Sequence, residues 1–114
     1  MDPRFIRALT RQRSGAAPPA APVIVSADPD TVFDRDGSQV VLLTGTDLDH
    51  GTPTFADNEV GAGAVTIEDV VVENDTQVSV TVFTEDGVTT IGVHTFTYMN
   101  DNGSDTVDIT VDDS

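Results

Sequence analysis

The chain has 114 residues and no cysteine, which allows one domain with its own core but neither a disulfide framework nor a thiolate metal site. Residues 1–20 contain four arginines and one acid, a charge of +3, whereas residues 21–114 contain one arginine and nineteen acids, a charge of −18. So acidic a body repels nucleic acid and anionic membranes, and we expect it to bind neither.

The N-terminal sequence does not resemble a secretion signal. Its apolar stretches are short and interrupted by arginines, so the run of about seven or more apolar residues that a signal peptide needs is missing. No stretch approaches the roughly 20 apolar residues of a membrane span. We therefore expect a complete gene product that is made in a cytoplasm and stays there unless it leaves by another route.

Residues 1–21 are predicted to form a basic arm followed by a Pro/Ala linker. Asp2 is suited to cap a helix and Pro3 to occupy its first position, so the arm has the start signals of a short helix. About three turns are marginal on their own in water, so such a helix needs a surface to pack against. The residues expected to bind a protein partner are Arg4, Phe5, Ile6, Arg7, Leu9, Arg11 and Arg13. The alternative is a disordered, solubilising tail.

Residues 22–114 are strand-and-turn sequence throughout and show no helical periodicity. The predicted strands are Pro22–Ser26, Gln39–Thr44, Thr52–Phe55, Ala64–Glu68 with or without an extension to Val72, Gln77–Phe83, Thr89–Met99 and Asp105–Val111. Asn102-Gly103 supplies the positive φ of a tight hairpin turn before the last of them. About seven short strands separated by turns predict an all-β, immunoglobulin-like β-sandwich. The expected core contains Val41 or its neighbour Leu42, with Val80, Phe96 and Ile109.

The order of motifs in residues 22–111 resembles the IPT/TIG group of immunoglobulin-like domains. The matching segments are Pro22–Phe33 (PVIVSADPDTVF), Val40–Leu48 with its Thr44-Gly45-Thr46, Asn74–Val82, and the closing hairpin with Gly92, Phe96, Asn100 and Gly103. One departure is the absence of a proline after Val78–Phe83. The resemblance implies the fold and a role as a spacer or binding module, and it brings no catalytic residues.

Two acidic segments have the composition of calcium loops, namely Asp34–Gly37 and Asn100–Asp105. Calcium prefers hard oxygen ligands, which its loops space around a glycine. The sequence lacks the full loop of about twelve residues with its terminal glutamate. Asp, Asn and Gly also form ordinary turns, which is the interpretation we favour. We expect no metal, no cofactor and no calcium requirement for folding.

The two histidines have different expected environments. His94 shares a strand face with Phe96 and Tyr98, where a packed histidine is more usual than a metal ligand. His50 lies beside Asp47 and Asp49, which form either a weak cation site or, more simply, a solvated loop.

Three classes of function remain open. No nucleophile elbow, phosphate-binding loop or HExxH helix occurs in the sequence, so we expect no enzyme. The favoured hypothesis is a virion structural protein, most simply a capsid decoration protein of a tailed virus that binds the major capsid protein through its arm. A tail or head–tail accessory protein is a variant of it, and self-association on the particle is left open. The alternative is a carbohydrate- or surface-binding module of a cell envelope protein.

Overall fold

The computed structural model describes residues 20–113, which form eight β-strands and no helix. The strands are β1 (Val23–Asp28), β2 (Thr31–Phe33), β3 (Ser38–Thr46), β4 (Thr54–Asp57), β5 (Thr66–Asn74), β6 (Gln77–Phe83), β7 (Gly92–Asn100) and β8 (Gly103–Asp112). The helix expected in the arm lies outside the described residues.

The strands make two four-stranded sheets, with the orders β1-β3-β6-β5 and β2-β8-β7-β4. When β2 is set aside, this is the arrangement of a constant-type immunoglobulin domain, in which strands A, B, E and D face strands C, F and G. The predicted all-β, immunoglobulin-like sandwich is therefore confirmed. The additional strand β2 continues the direction of β1 after a cis Asp28–Pro29 peptide and pairs in parallel with β8.

The core lies between the two sheets and is built from residues that alternate along each strand. In β6 the inward residues are Val78, Val80 and Val82, each 1% exposed or less, while the intervening residues are half-buried. The buried apolar residues are Val32, Val41, Leu43, Leu48, Phe55, Val65, Val78, Val80, Val82, Phe96, Tyr98, Ile109 and Val111. All the expected core positions are confirmed, with Val41 rather than Leu42 pointing inward.

Two strands begin a few residues after their predicted first residue, because the backbone does not yet pair with a neighbouring strand there. The predicted strand Thr89–Met99 starts only at Gly92, because the amides of Val88 and Thr89 both donate to the Glu85 carbonyl in a turn. The strand predicted over Ala64–Glu68 begins at Thr66 and continues to Asn74 along the edge beside β6.

Replacing Val80 with aspartate is expected to unfold the domain. Val80 is fully buried at the centre of its sheet, between Val41 and Val70, so the new carboxylate would lose its hydration without a partner, a cost of several kcal/mol. The matched control is Val40→Asp on β3, where the side chain is 61% exposed and points outward. Circular dichroism should show loss of β-structure for Val80→Asp alone, and a folded Val80→Asp variant would contradict the assigned core.

Candidate functional site

The sequence-predicted partner-binding residues all precede residue 20 and therefore lie outside the described residues. The structure does describe where the arm joins the sandwich. Pro22 is buried, and the Ile24 amide donates to Asp105 Oδ2 at 2.8 Å, which ties the start of β1 to β8. A Cβ at Gly103 would lie 2.9 Å from the Ala21 Cβ, so the chain enters directly over the β7–β8 turn.

The sandwich has two ends with different contents. The end where the chain enters, called the arm end below, contains the β3–β4 connection, the β5–β6 turn and the β7–β8 turn. The opposite end, called the far end, contains the β2–β3, β4–β5 and β6–β7 connections and the last described residue, Asp113. A nine-residue strand such as β3 places the two ends about 30 Å apart.

At the arm end, the β3–β4 connection is held against β7 by two hydrogen bonds. The Tyr98 hydroxyl donates to the Leu48 carbonyl at 2.5 Å, and Asn100 Nδ2 donates to the Asp47 carbonyl at 3.0 Å. Burial raises the pKa of the Tyr98 hydroxyl to about 12, and the charge of Asp49 adds to the effect. This connection is therefore a fixed part of the surface from which the arm departs.

His50 lies on that fixed connection in an exposed, acidic setting. Its Nε2 is 3.9 Å from Asp47 Oδ1 and 3.8 Å from Asp49 Oδ1, and all three side chains are more than 40% exposed. The three side chains thus lie together on an exposed loop. Within residues 20–113, no group of three or more His, Cys, Asp or Glu side chains has the geometry to hold a metal ion.

The far end contains Asp34–Gly37, one of the two segments with the composition of a calcium loop. Asp34 is only 4% exposed, and its Oδ1 has no hydrogen-bond partner. Beside it in sequence, the Phe33 carbonyl accepts from Gln39 Nε2 at 3.1 Å and from the Thr84 hydroxyl at 2.8 Å. The segment forms a turn in which the Asp36 amide donates to the Phe33 carbonyl, as the turn interpretation requires.

The far end also contains a buried pair of titratable side chains, His94 and Asp57, whose pairing the sequence does not reveal. His94 is 2% exposed, as expected for a packed histidine, and it lies on the same face of β7 as Phe96 and Tyr98. Its Nδ1 is 2.5 Å from Asp57 Oδ2, and its Nε2 is 2.6 Å from the Thr90 carbonyl oxygen. Since both ring nitrogens bond within the protein, neither is free to take a proton from a substrate in this conformation.

The pairing of Asp57 with His94 was missed by the sequence reasoning. The two residues are 37 positions apart, and they meet because β4 pairs with β7 in the register Asp57 opposite Phe96. The only local signal is that a histidine on an inward strand face needs polar partners. This pattern predicts that His94 has a polar partner, but it does not identify Asp57 as that partner.

The charged groups of the described surface are almost all acidic. Arg35 is the only lysine or arginine among residues 20–113, and it pairs with Asp113 at 3.6 Å, with both side chains more than half exposed. No pocket occurs in the described part of the chain, and no helix in that part is long and apolar enough to cross a membrane. What the described body presents chemically is an acidic surface with one fixed end beside the arm.

In comparisons with known proteins, no protein-family model and no curated protein sequence matches this chain.

Replacing Asp34 with alanine is expected to raise the free energy of unfolding by about 1–3 kcal/mol, because a buried carboxylate oxygen without a donor is removed. Chemical denaturation measures the change. The matched control is Asp36→Ala, an exposed acid in the same turn, which should change stability little.

If Asp34 were a calcium ligand, calcium would stabilise the fold. Excess Ca²⁺ and EDTA should give unfolding midpoints within about two degrees of each other, since no mass-action stabilisation is expected. A rise with Ca²⁺ that Asp34→Ala abolishes would identify Asp34 as a ligand and contradict the prediction.

Proposed function

We propose that this protein is a virion structural component, a decoration protein on the capsid of a tailed virus, anchored to the major capsid protein by residues 1–21. The observation that carries the proposal is the segregation of charge, +3 in residues 1–20 against −18 in residues 21–114. A basic, partly apolar arm is suited to binding a protein surface, while the acidic body is suited to remaining in solvent.

The position of the arm on the sandwich supports this division of roles. The arm joins at one end, and the far end lies about 30 Å away along the strands. A body held by its arm end therefore projects away from the surface that binds the arm. Its acidic surface repels neighbouring particles, which keeps them dispersed.

The affinity in this proposal comes mainly from the apolar residues of the arm. Phe5, Ile6 and Leu9 bury against the capsid protein, and burial of each such side chain contributes about 1.5–3 kcal/mol. The four arginines of the arm pair with acidic groups around that contact. Exposed ion pairs contribute only about 0–1 kcal/mol each, so they orient the arm more than they hold it.

We also propose that the body is an IPT/TIG-type domain. Its Thr44-Gly45-Thr46 motif ends β3, where Gly45 pairs with Ile24 of β1. A Cβ at Gly45 would overlap the carbonyl oxygen of Val23, so the close approach of the two strands requires glycine. The Gly45 amide also donates to the Thr76 carbonyl at 2.9 Å, which ties this strand end to the β5–β6 turn.

The triple variant Phe5→Ala, Ile6→Ala, Leu9→Ala should lose binding to particles that lack this protein. At about 1–3 kcal/mol per truncated anchor, the affinity should fall at least 100-fold or so. Co-sedimentation with purified particles measures occupancy. The matched control is Val40→Thr with Val93→Thr in the full chain, which changes two exposed valines of the body and leaves the arm intact.

The outcomes separate the alternatives. If the triple variant and a chain lacking residues 1–20 both bind at full occupancy, the arm is not the anchor and the body makes the contact. If the wild-type protein never sediments with particles, the virion role is wrong. A carbohydrate- or surface-binding module of a cell envelope protein then becomes the better proposal.

A further inference from the structure

His94 connects two loops at the far end of the sandwich. Its Nδ1 faces Asp57 Oδ2 at the end of β4, and its Nε2 faces the Thr90 carbonyl in the connection before β7. The side chains of His94 and Asp57 are 1% and 2% exposed, so neither is in contact with bulk water. The ring therefore lies between two buried oxygen atoms, and each of them is an acceptor.

This geometry requires two N–H groups on the ring. A carbonyl oxygen and a carboxylate only accept hydrogen bonds, and a neutral imidazole has a single donor. Both contacts, at 2.5 and 2.6 Å, are within hydrogen-bonding distance, and a charged donor strengthens such bonds. The described contacts are thus those of an imidazolium ion.

The groups around the ring favour that charge. From the β4 side the Asp57 carboxylate faces it, and from the β4–β5 loop Glu59 Oε1 lies 3.8 Å from Nδ1. The β8 residue opposite in register is Ile109, and the neighbouring ring on its own strand is Phe96, both uncharged. Burial alone lowers the pKa of His94, but the bond to Thr90 and the bond and charge of Asp57, with Glu59, outweigh it and raise the pKa above 6.5.

The two partners of His94 are themselves tied to the β4–β5 loop. Asp57 Oδ2 also accepts from the Val65 amide at 2.9 Å, and Oδ1 accepts from the Glu59 amide at 2.9 Å. The Thr90 amide donates to the Gly63 carbonyl at 2.9 Å, and its hydroxyl donates to Glu59 Oε2 at 2.5 Å. The His94 ring and these hydrogen bonds together connect the end of β4, the β4–β5 loop and the β6–β7 connection.

We propose that His94 is a pH-controlled clasp, which holds the β6–β7 connection onto the β4–β5 loop while the ring is protonated and releases it when the ring is neutral. The proton leaves to solvent, and the remaining N–H stays on Nδ1 because its bond to the carboxylate is charge-assisted. The lone pair of Nε2 then faces the lone pairs of the Thr90 carbonyl oxygen. This contact is repulsive, so Thr90 moves away and its bonds to Gly63 and Glu59 are lost.

The sign of the pH dependence follows from the direction of the shift. A group whose pKa is higher in the folded state than in the unfolded state stabilises the fold fully below the unfolded-state pKa, which is about 6.5 for histidine. That stabilisation is lost as the pH rises through the higher folded-state pKa of His94. The clasp is therefore closed below about pH 6.5 and opens as the pH rises through the folded-state pKa of His94.

Thermal unfolding of the full chain between about pH 6 and about pH 9 tests the proposal, since this window brackets the histidine range. The stability advantage of the wild type over His94→Gln should shrink as the pH rises, because glutamine does not titrate. The matched control is His50→Gln, which changes the exposed histidine at the arm end and should follow the wild-type curve. Parallel wild-type and His94→Gln curves would overturn the clasp.

A second measurement needs only the wild type and so remains decisive if His94→Gln fails to fold. As the pH rises from about 6.5 through the folded-state pKa, the exchange protection of the Thr90 amide, corrected for intrinsic rates, should fall by up to about tenfold per pH unit, and it should level off above that pKa. The Thr84 amide, bonded to the Gly37 carbonyl at the same end, is the internal reference and should keep its protection. Nitrogen-15 shifts of a neutral ring near pH 6, or unchanged Thr90 protection, would contradict the proposal.

Discussion

The two sheets are held together by the packing of side chains that alternate along each strand between the interface and solvent. Because the chain contains no cysteine, no disulfide connects the sheets. A shift of one residue in any strand would exchange its inward and outward faces. In β3 such a shift would replace Val41 and Leu43 in the core by Val40 and Leu42, and in β8 it would bring Asp108 inward. Register is therefore the property that the rest of the structure depends on. Irregular pairing within the sheets occurs in β1 and β5, which are edge strands with one free side to absorb it.

Polar side chains make hydrogen bonds at both ends of this interface. At the arm end, Tyr98 and Asn100 bond to the backbone of the β3–β4 connection. At the far end, Gln39 and Thr84 bond to the Phe33 carbonyl, and His94 joins two loops. These bonds are made by side chains in regular strands or directly beside them. They attach the β3–β4 connection, the end of β2 and the two loops joined by His94 to side chains in or beside the strands.

A fixed arm end matters for the proposed function. A body that projects from a shell needs a defined attachment, and here the chain enters over the β7–β8 turn with Pro22 buried and Ile24 bonded to Asp105. The acidic groups are distributed over both ends and over the outer faces, so no single loop accounts for the negative charge of the surface. Chemistry at the two ends differs all the same. His50 at the arm end is exposed among acids, whereas His94 at the far end is enclosed with one.

The sequence by itself determined the all-β class, the strand faces and much of the core, because alternation is a local property that two or three residues on either side already define. Val80, Phe96 and Ile109 were predictable for that reason, and so was the hairpin turn before Gly103. The arm residues remain a sequence prediction, since they precede the described part of the chain. Only the tertiary structure decided that Thr31–Phe33 is a strand, that Asp34 is buried, and that His94 meets Asp57. Each of these depends on which distant strands become neighbours and in what register, and that choice is made by the packing of the whole chain rather than by any segment of it.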